Sequence, residues 1–286
     1  MGSLSHLRFY FVLFCTGIIF FICFCYFILT LYIFTLFNEH SLTNFTTANL
    51  CWYLFSKFTR IKLEVEGSEI IERYGTRHTN TSEPKQRCVF VLNHQSELDI
   101  PILGKLAPNY TLRSATWRVK KMPLFGWYMQ LSRSIFLDRP STSGITNKQV
   151  LLDAAKILHE SNLNIAMYPV SQFLAFGALI CMTNGEDLQE GRLSQSKTPN
   201  LQPMKRGAFV IAMEAGNMPI VPVVIANYAH IFHVPTRHAS SGTIKVKVLP
   251  PLEWTQVNGM DKQRAIDEMM EAVSNKMHEA LIEISK

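Results

Sequence analysis

The sequence has little cysteine, and its few cysteines show no pattern typical of a metal site or a disulfide framework. There are 6 in 286 residues, whereas closely spaced pairs of Cys or His are the usual sign of zinc ligands or of a disulfide-stabilised chain. Three lie in one apolar run and the others are scattered singly: Cys15, Cys23 and Cys25, then Cys51, Cys88 and Cys181. We expect each to act as a small apolar side chain and the protein to need no metal.

Charge is missing from a long stretch near the N-terminus. Residues 7–37 read LRFYFVLFCTGIIFFICFCYFILTLYIFTLF, and Arg8 is the single charged residue among them. About 20 apolar residues suffice to cross a bilayer, whereas a secretory signal has a shorter apolar core and a small-residue cleavage site, which this stretch lacks. The sequence therefore predicts a retained membrane anchor, formed either by one tilted helix or by a pair of shallower re-entrant helices.

The sequence also lacks the signs of a nucleic-acid-binding protein. Its formal net charge is +6, from 28 Lys and Arg against 22 Asp and Glu, so the chain is moderately basic. It contains neither a recognition module nor a basic stripe interleaved with aromatic residues, which disfavours nucleic acid as a partner. Beside a membrane anchor, a basic balance favours lipid headgroups or phosphorylated small molecules.

Short β-branched runs alternate with amphipathic helices after the anchor. We divide the chain into an N-terminal transmembrane and membrane-surface segment, residues 1–60, and a folded domain, residues 61–286. The alternation predicts an α/β fold, a largely parallel or mixed sheet flanked by helices. The predicted strands are residues 61–65, 88–92, 111–116, 134–137, 164–168, 220–225 and 243–248, and the predicted helices are 97–106, a short one from 123, 147–160, 207–215 and 261–284.

The stretch VFVLNHQSELDIPILG, residues 89–104, interrupts two apolar runs with polar residues. His94 follows a predicted strand, and the functional groups of open α/β sheets gather at the carboxyl ends of strands. On one continuous helix, a separation of five residues would turn His94 and Asp99 roughly 140° apart. If Ser96 is instead the N-cap of the helix, Asp99 lies in the first turn and reaches back toward the preceding loop, beside His94.

This pair suits a general base. A carboxylate that accepts one imidazole N–H fixes the tautomer and leaves the other nitrogen free to take a proton. No Gly-x-Ser-x-Gly elbow surrounds Ser96, so we assign that residue to capping, and a base without a protein nucleophile suits direct attack by a substrate hydroxyl on an activated acyl group. A purely structural pairing of His94 and Asp99 explains these two residues equally well.

Three blocks of the sequence resemble one family. NHQSELD is similar to the His-x-x-x-x-Asp signature of the glycerolipid acyltransferases, in particular the PlsC-type lysophosphatidic acid acyltransferases. MPLFGWYMQLSRSIFLDR, which ends at Arg139, resembles the Pro-aromatic-Gly-Trp stretch of that family and its Phe-x-Asp-Arg block. PMKRGAFVIAMEAGNMPIVPVVI resembles its downstream helix and Ile-Val-Pro-Val strand. The blocks follow the family order over residues 60–250.

The resemblance implies a reaction. Acyl-CoA, as co-substrate, would donate a fatty acyl group to the sn-2 hydroxyl of lysophosphatidic acid and give phosphatidic acid, with no cofactor. His94 would deprotonate the hydroxyl and Asp99 would orient His94. The setting it implies is phospholipid biosynthesis by an integral membrane protein of the endoplasmic reticulum, with residues 61–286 as the acyltransferase domain. The resemblance leaves open another lysophospholipid or glycerol 3-phosphate as acceptor, and a catalytically impaired lipid-binding form.

The phosphate of the substrate has several candidate ligands. By the family pattern Arg139 would hold it, since a guanidinium binds phosphate oxygens bidentately. Trp117 and Arg118 fall where many relatives carry lysines near the phosphate site. Lys120, Lys121 or Arg118 is expected to compensate, and the sequence does not separate them.

A further element of the family, which lies between the second and third of these blocks, is split in this sequence. Relatives carry Pro-Glu-Gly-Thr-Arg-Ser after a strand, whereas here 20 residues, 170–189, separate Pro169 from Glu190, Gly191 and Arg192, which would help form the phosphate and acyl-donor site. One hypothesis is that Val170 to Gln189 is a translated, unspliced intron. The residues at its ends can be encoded by splice-site sequences, and its coding length is in frame and typical of short fungal introns. The other is a membrane-dipping insert, which is too short to span.

Overall fold

The structure, a computed structural model, describes residues 2–37, 39–75, 87–137, 147–168, 196–257 and 259–286. The helices are α1 (Gly2–Thr35), α2 (His40–Thr59), α3 (Ser68–Gly75), α4 (Asp99–Leu106), α5 (Phe125–Leu131), α6 (Asn147–Ser161), α7 (Gly207–Glu214) and α8 (Lys262–Ile284), with 3-10 turns at Trp117–Lys121 and Trp254–Val257. The strands are β1 (Ile61–Glu66), β2 (Val89–Leu92), β3 (Thr111–Thr116), β4 (Ile135–Leu137), β5 (Asn164–Met167), β6 (Ile220–Ile225), β7 (Phe232–His233), β8 (His238–Ala239) and β9 (Gly242–Val248).

The main sheet is mixed but dominated by parallel pairs. Within the described ranges it has seven strands in the order β1-β9-β6-β2-β5-β3-β4. The pair of β6 and β9 is antiparallel, and the other neighbouring pairs are parallel. The α/β class with a mixed sheet, predicted from the alternation of strands and helices, is confirmed.

Helices cover both faces of the sheet, and β2 shows how its residues divide between them. Val89 and Val91 belong to the core that contains α6, α7 and α8. Phe90 and Leu92 belong to the core on the other face, which includes residues of α1, α2 and α4. Successive side chains of a strand point to opposite faces, and a central strand covered on both sides reads as a continuous apolar run.

The apolar N-terminal run forms one helix, α1, rather than a re-entrant pair. Residues Ser5–Thr35 have a mean hydropathy of 2.7 and are long and apolar enough to cross a membrane by length and composition. One side of α1 packs on the folded body through aromatic contacts. Phe9 stacks on Phe232 with ring centroids 5.4 Å apart, and Phe27 meets Tyr128 edge-on at 4.8 Å. The other side is exposed.

Two predicted helix starts were wrong by two residues each. The helix predicted from Glu97 begins at Asp99, because the chain first makes a tighter turn in which the N–H of Asp99 donates to the carbonyl of Ser96 at 3.1 Å. The short helix predicted from Pro123 begins at Phe125. A 3-10 turn, Trp117–Lys121, precedes it.

Candidate active site

Polar side chains of the loop after β2 tie that strand to the end of β6. The amide of Asn93 donates to the carbonyl of Ile225 at 2.8 Å and accepts the N–H of Ile225 at 2.7 Å. The amide of Gln95 donates to the carbonyls of Ile225 and Ala226 at 2.8 and 2.9 Å. These bonds satisfy backbone groups that would otherwise be buried without partners. Asn93 and Gln95 therefore hold His94 at a fixed place between two strand ends.

Asp99 gathers four hydrogen bonds on its two carboxylate oxygens. One oxygen, Oδ2, accepts from Nδ1 of His94 at 2.7 Å and from the backbone N–H groups of Gln95 and Ser96. The other, Oδ1, accepts from the hydroxyl of Tyr228 at 2.6 Å. Asp99 is fully buried, and these partners occupy both of its carboxylate oxygens. The structure thus brings His94 and Asp99 together as the sequence predicts.

The imidazole of His94 is held on its Asp99 side and available on the other. With Nδ1–H donated to Asp99, the neutral tautomer has its lone pair on Nε2. Within the part of the chain that the structure describes, Nε2 has no hydrogen-bond partner, and His94 lines a cavity. The ring stacks on Tyr168, with centroids 4.3 Å apart and planes at 26°. In this arrangement Nε2 can accept a proton from a molecule in the cavity.

Two tyrosines complete the site, and the sequence reasoning missed both. The hydroxyl of Tyr168 donates to the backbone carbonyl of Asp99 at 2.8 Å, and that of Tyr228 donates to its carboxylate. Tyr168 directly follows β5, so its position at the carboxyl end of a strand beside β2 was a usable signal. Tyr228 comes from a loop more than a hundred residues beyond Asp99, and no local pattern marks it.

Burial keeps both phenols protonated. The pKa values of Tyr168 and Tyr228 lie well above the ordinary range, first because burial disfavours a charged phenolate and then because the Asp99 carboxylate repels one. Both hydroxyls therefore remain hydrogen-bond donors to Asp99. Since the Tyr228 hydroxyl is donated to Asp99, the hydroxyl of Ser96, 2.8 Å away, is the donor to the Tyr228 oxygen.

The prediction of Ser96 as N-cap was wrong, because the N-cap of α4 is Leu98, which makes no side-chain capping bond. The hydroxyl oxygen of Ser96 accepts the N–H of Leu98 at 3.3 Å, and the N–H of Ser96 donates to the carboxylate of Asp99 at 3.1 Å. A capping box would need the hydroxyl to accept the N–H three residues on, so these bonds form a turn that precedes the helix rather than a cap. Ser96 therefore shapes the turn that brings Asp99 back to His94, and Tyr228 fixes its hydroxyl.

The cavity beside His94 is mostly apolar and is partly open to solvent. The walls come from α1, α2, α4, β3 and α5. The residues that line it are Phe20, Cys23, Phe24, Thr47, Ala48, Cys51, His94, Ile100, Pro101, Leu103, Gly104, Arg113, Ser114, Ala115, Leu124, Phe125, Tyr128, Met129 and Tyr168. Such a space suits a hydrocarbon chain whose reacting end lies at His94.

Among the residues that the structure describes, no candidate phosphate ligand lines the cavity beside His94. The ammonium of Lys120 lies 4.4 Å from the ring centroid of Trp117, a cation–π contact, and Lys120 is not among the cavity-lining residues. Arg139, Glu190, Gly191 and Arg192 lie outside the described residues, as does the segment Val170 to Gln189. Their roles stay predictions.

The chain belongs to the acyltransferase family. The family model described as Acyltransferase matches residues 62–226, a range that contains His94, Asp99 and Tyr168. The chain is 30% identical to an uncharacterized acyltransferase of Schizosaccharomyces pombe, over 84% of this chain and 72% of that protein. The family relationship and the site together identify the chain as an acyltransferase.

Relatives with named activities and one solved structure extend this likeness. The chain is 26% identical to the 1-acyl-sn-glycerol-3-phosphate acyltransferase of Saccharomyces cerevisiae, over 87% of this chain and 70% of that one. It is 26% identical to the human 1-acyl-sn-glycerol-3-phosphate acyltransferase beta, over 68% and 61% of the two chains. The crystal structure of the 1-acyl-sn-glycerophosphate acyltransferase PlsC from Thermotoga maritima matches with a TM-score of 0.56 and 18% identity, over 99% of this chain and 95% of that one, which shows a shared fold.

Proposed function

We propose that this chain transfers an acyl group from acyl-CoA to the sn-2 hydroxyl of lysophosphatidic acid and so forms phosphatidic acid. The observation that carries the proposal is the pairing of His94 Nδ1 with the buried Asp99 at 2.7 Å, beside a largely apolar cavity. The names of the yeast and human relatives support the choice of acceptor.

The reaction needs one base and no protein nucleophile. Nε2 of His94 takes the proton of the sn-2 hydroxyl while the hydroxyl oxygen bonds to the thioester carbonyl carbon. The tetrahedral intermediate then collapses, the carbon–sulfur bond breaks, and the imidazolium returns its proton to the departing sulfur of coenzyme A. Asp99 stabilises the imidazolium while it carries that proton, as a carboxylate does in a catalytic triad.

The buried hydrogen bonds around Asp99 keep the base in position. A base that must act between a lipid hydroxyl and a thioester accelerates the reaction most when its position is fixed before the substrates bind. Tyr228 and the backbone N–H groups of Gln95 and Ser96 hold the carboxylate. Tyr168 supports one face of the His94 ring.

The cavity receives the acyl chain. Its walls are formed mainly by side chains such as Phe20, Phe24, Leu103 and Met129, and burying a methylene group there gains about 0.8 kcal/mol. The acyl chain thereby supplies binding energy at a distance from the reacting carbonyl. The cavity wall formed by α1 lies next to the exposed, lipid-compatible side of the same helix, so we infer that acyl chains enter from the bilayer.

The phosphate of lysophosphatidic acid is bound, in this proposal, by the cationic groups of the family pattern. Arg139, Lys120 and Arg192 supply positive charge, and Glu190 and Gly191 belong to the same phosphate and acyl-donor site. The guanidinium fork of an arginine suits a phosphate because it donates two parallel hydrogen bonds.

Membrane attachment brings the enzyme to an amphiphilic substrate. α1 carries exposed Leu7, Phe14 and Phe21, and Trp127 on α5 is 52% exposed and adjoins Phe24 of α1. A contiguous exposed apolar surface of this kind marks a membrane or protein contact. We place the protein in the membrane of the endoplasmic reticulum, with α1 as its anchor.

Competition among acceptors tests the proposal. The purified full-length chain in detergent micelles is given radiolabelled oleoyl-CoA with lysophosphatidic acid, lysophosphatidylcholine and glycerol 3-phosphate together. Phosphatidic acid should be the main labelled product, because the acceptor must carry both a hydrocarbon chain and a phosphate monoester. A predominance of phosphatidylcholine or of lysophosphatidic acid among the labelled products would assign the enzyme to a different acceptor.

A further inference from the structure

One charged side chain lies in the otherwise apolar wall of the cavity beside His94. Arg113, on β3, is half-buried and lines the cavity. Among the described lining residues it is the one with a permanent charge. A guanidinium has five N–H donors and no acceptor, so an arginine in this place is costly unless oxygen atoms meet it.

The register of the sheet explains why Arg113 reaches this space. Arg113 pairs with Ala166 of β5, and Ala166 pairs with Phe90 of β2. Residues that are level with one another in a parallel sheet point to the same face, and Phe90 and Ala166 belong to the core shared with α1, α2 and α4. Arg113 therefore projects toward the helices that form the cavity.

The same register separates Arg113 from the reacting end of the cavity. Tyr168, which stacks on His94, follows two residues after Ala166, so the level of Arg113 lies about 6.6 Å back along the strands. An acyl chain whose carbonyl is at His94 passes Arg113 several carbon atoms further on. This offset applies to the backbone of Arg113, and its guanidinium is bonded to the hydroxyl of Tyr128 on α5, where it forms part of the cavity wall.

The polar groups near Arg113 do not neutralise its charge. One N–H of the guanidinium donates to the hydroxyl of Tyr128 at 3.3 Å. The pKa of Tyr128 is raised, chiefly by burial, so this partner is a neutral phenol. Over the residues that the structure describes, no carboxylate pairs with Arg113. The hydroxyl of Thr47, which also lines the cavity, is buried without a hydrogen-bond partner there.

We propose that Arg113, with Thr47 and Tyr128, binds an oxygen function carried on the acyl chain, a hydroxyl or a carboxylate several carbons beyond the reacting carbonyl. The enzyme therefore prefers oxygenated acyl donors to plain hydrocarbon donors. This inference rests on the proposed function, since it assigns the cavity to the acyl group. A plain chain leaves the other N–H donors of the guanidinium and the Thr47 hydroxyl unsatisfied, whereas an oxygen function on the chain accepts hydrogen bonds from them.

Matched acyl donors test the preference. The full-length chain is assayed with lysophosphatidic acid and either palmitoyl-CoA, a series of hydroxypalmitoyl-CoA isomers that moves the hydroxyl along the chain, or the CoA thioester of hexadecanedioic acid. In the wild type, kcat/KM for at least one oxygenated donor should exceed that for palmitoyl-CoA by about tenfold, the effect of one charge-assisted hydrogen bond. Arg113→Met should abolish the preference, Arg113→Lys should retain part of it, and Lys105→Met, which removes an exposed charge on α4, should leave it unchanged.

Two results would overturn the inference. One is equal kcat/KM for plain and oxygenated donors in the wild type. The other is an Arg113→Met variant that slows all donors alike and raises KM for lysophosphatidic acid, which would assign Arg113 to the phosphate of the acceptor.

A binding measurement separates failure of this inference from failure of the proposed function. Displacement of a fluorescent fatty acid by palmitate or by hydroxypalmitates needs no turnover. Tighter binding of a hydroxypalmitate by the wild type, lost in Arg113→Met, supports the site even if lysophosphatidic acid is not acylated. Equal binding of plain and oxygenated fatty acids would refute it whichever acceptor the enzyme uses.

Discussion

At the scale of single residues, the loop after β2 is shaped by one buried carboxylate. Asp99 accepts from His94, from two backbone N–H groups and from Tyr228. The contact between His94 and Asp99 was predictable because a turn at the start of a helix folds a short sequence separation back on itself. The contact with Tyr228 was not predictable, because it depends on which distant loop lies beside Asp99.

Glu97 presents a second buried carboxyl group in the same loop. Both of its carboxylate oxygens are buried and, among the described residues, without a hydrogen-bond partner. It lines a small apolar cavity against α1 with Val12, Leu13 and Thr16. The pKa of Glu97 is raised from its ordinary value, first of all by burial. The folded state therefore favours the protonated form.

This raised pKa predicts how stability changes with pH. The folded protein holds the Glu97 proton more tightly than the unfolded chain does. The contribution of Glu97 to the free energy of unfolding is therefore fully present below its ordinary pKa and is lost as pH rises through the raised pKa. Glu97→Gln should remove that fall in stability. Thermal unfolding measured from acidic to neutral pH checks this, with the exposed Glu69→Gln on α3 as control. An unaltered pH slope in Glu97→Gln would contradict it.

At the scale of elements, the Pro-aromatic-Gly-Trp stretch has a packing reason. A Cβ on Gly126 would lie 2.8 Å from the carbonyl oxygen of Lys120 and closer still to that of Val119. Both contacts are with backbone atoms, which do not move aside easily. Only glycine lets α5 start so close to the preceding 3-10 turn. α5 carries three cavity-lining residues, Phe125, Tyr128 and Met129, and Leu124 just before it is a fourth.

Gly126→Ala should therefore destabilise the fold by about 1–3 kcal/mol, the usual cost of inserting a methyl group into filled space. Gly17→Ala in α1 is the matched control, because a Cβ there meets nothing within 4 Å and alanine favours a helix over glycine. The midpoints of thermal unfolding of the two variants give the comparison. Equal midpoints for Gly126→Ala and the wild type would contradict this prediction, because they would show that the backbone of the turn shifts without loss of stability.

The strands were easier to predict than the details of the helix starts. The strands at Thr111–Thr116 and Ile220–Ile225 fall where β-branched and apolar runs end in turn residues. The 3-10 turn Trp117–Lys121 was not predicted, because its sequence has no helical apolar period and its shape is imposed by the close contact with Gly126.

At the scale of the whole molecule, α1 is both a candidate anchor and a wall of the cavity. Its length and hydropathy were evident from the sequence. The sequence did not show whether this run forms one helix or two, because the choice depends on aromatic contacts with distant residues such as Phe232 and Tyr128. The strand order was equally beyond the sequence, since parallel pairs join segments far apart along the chain.

The interruption of the Pro-Glu-Gly-Thr-Arg-Ser element leads to a prediction about turnover. Deleting Val170 to Gln189 joins Pro169 directly to Glu190 and restores the family spacing, so turnover should rise by about a hundredfold, the effect of correcting roughly 1 Å of misplacement. Replacing the same 20 residues by an equally long Gly-Ser linker should not restore turnover, because Pro169 and Glu190 would still be separated. Equal turnover of the full chain and the deletion variant would contradict this prediction.

The role of His94 is the point on which the proposed function depends. The most direct measurement is the initial rate of phosphatidic acid formation from lysophosphatidic acid and acyl-CoA by His94→Ala and by the wild type, with vesicle association and thermal unfolding measured on the same samples. The rate should fall on the order of 10³-fold, because the proton acceptor is lost, while vesicle association and the unfolding midpoint stay near the wild-type values. A folded His94→Ala variant that keeps a tenth or more of the wild-type rate would show that the base is elsewhere.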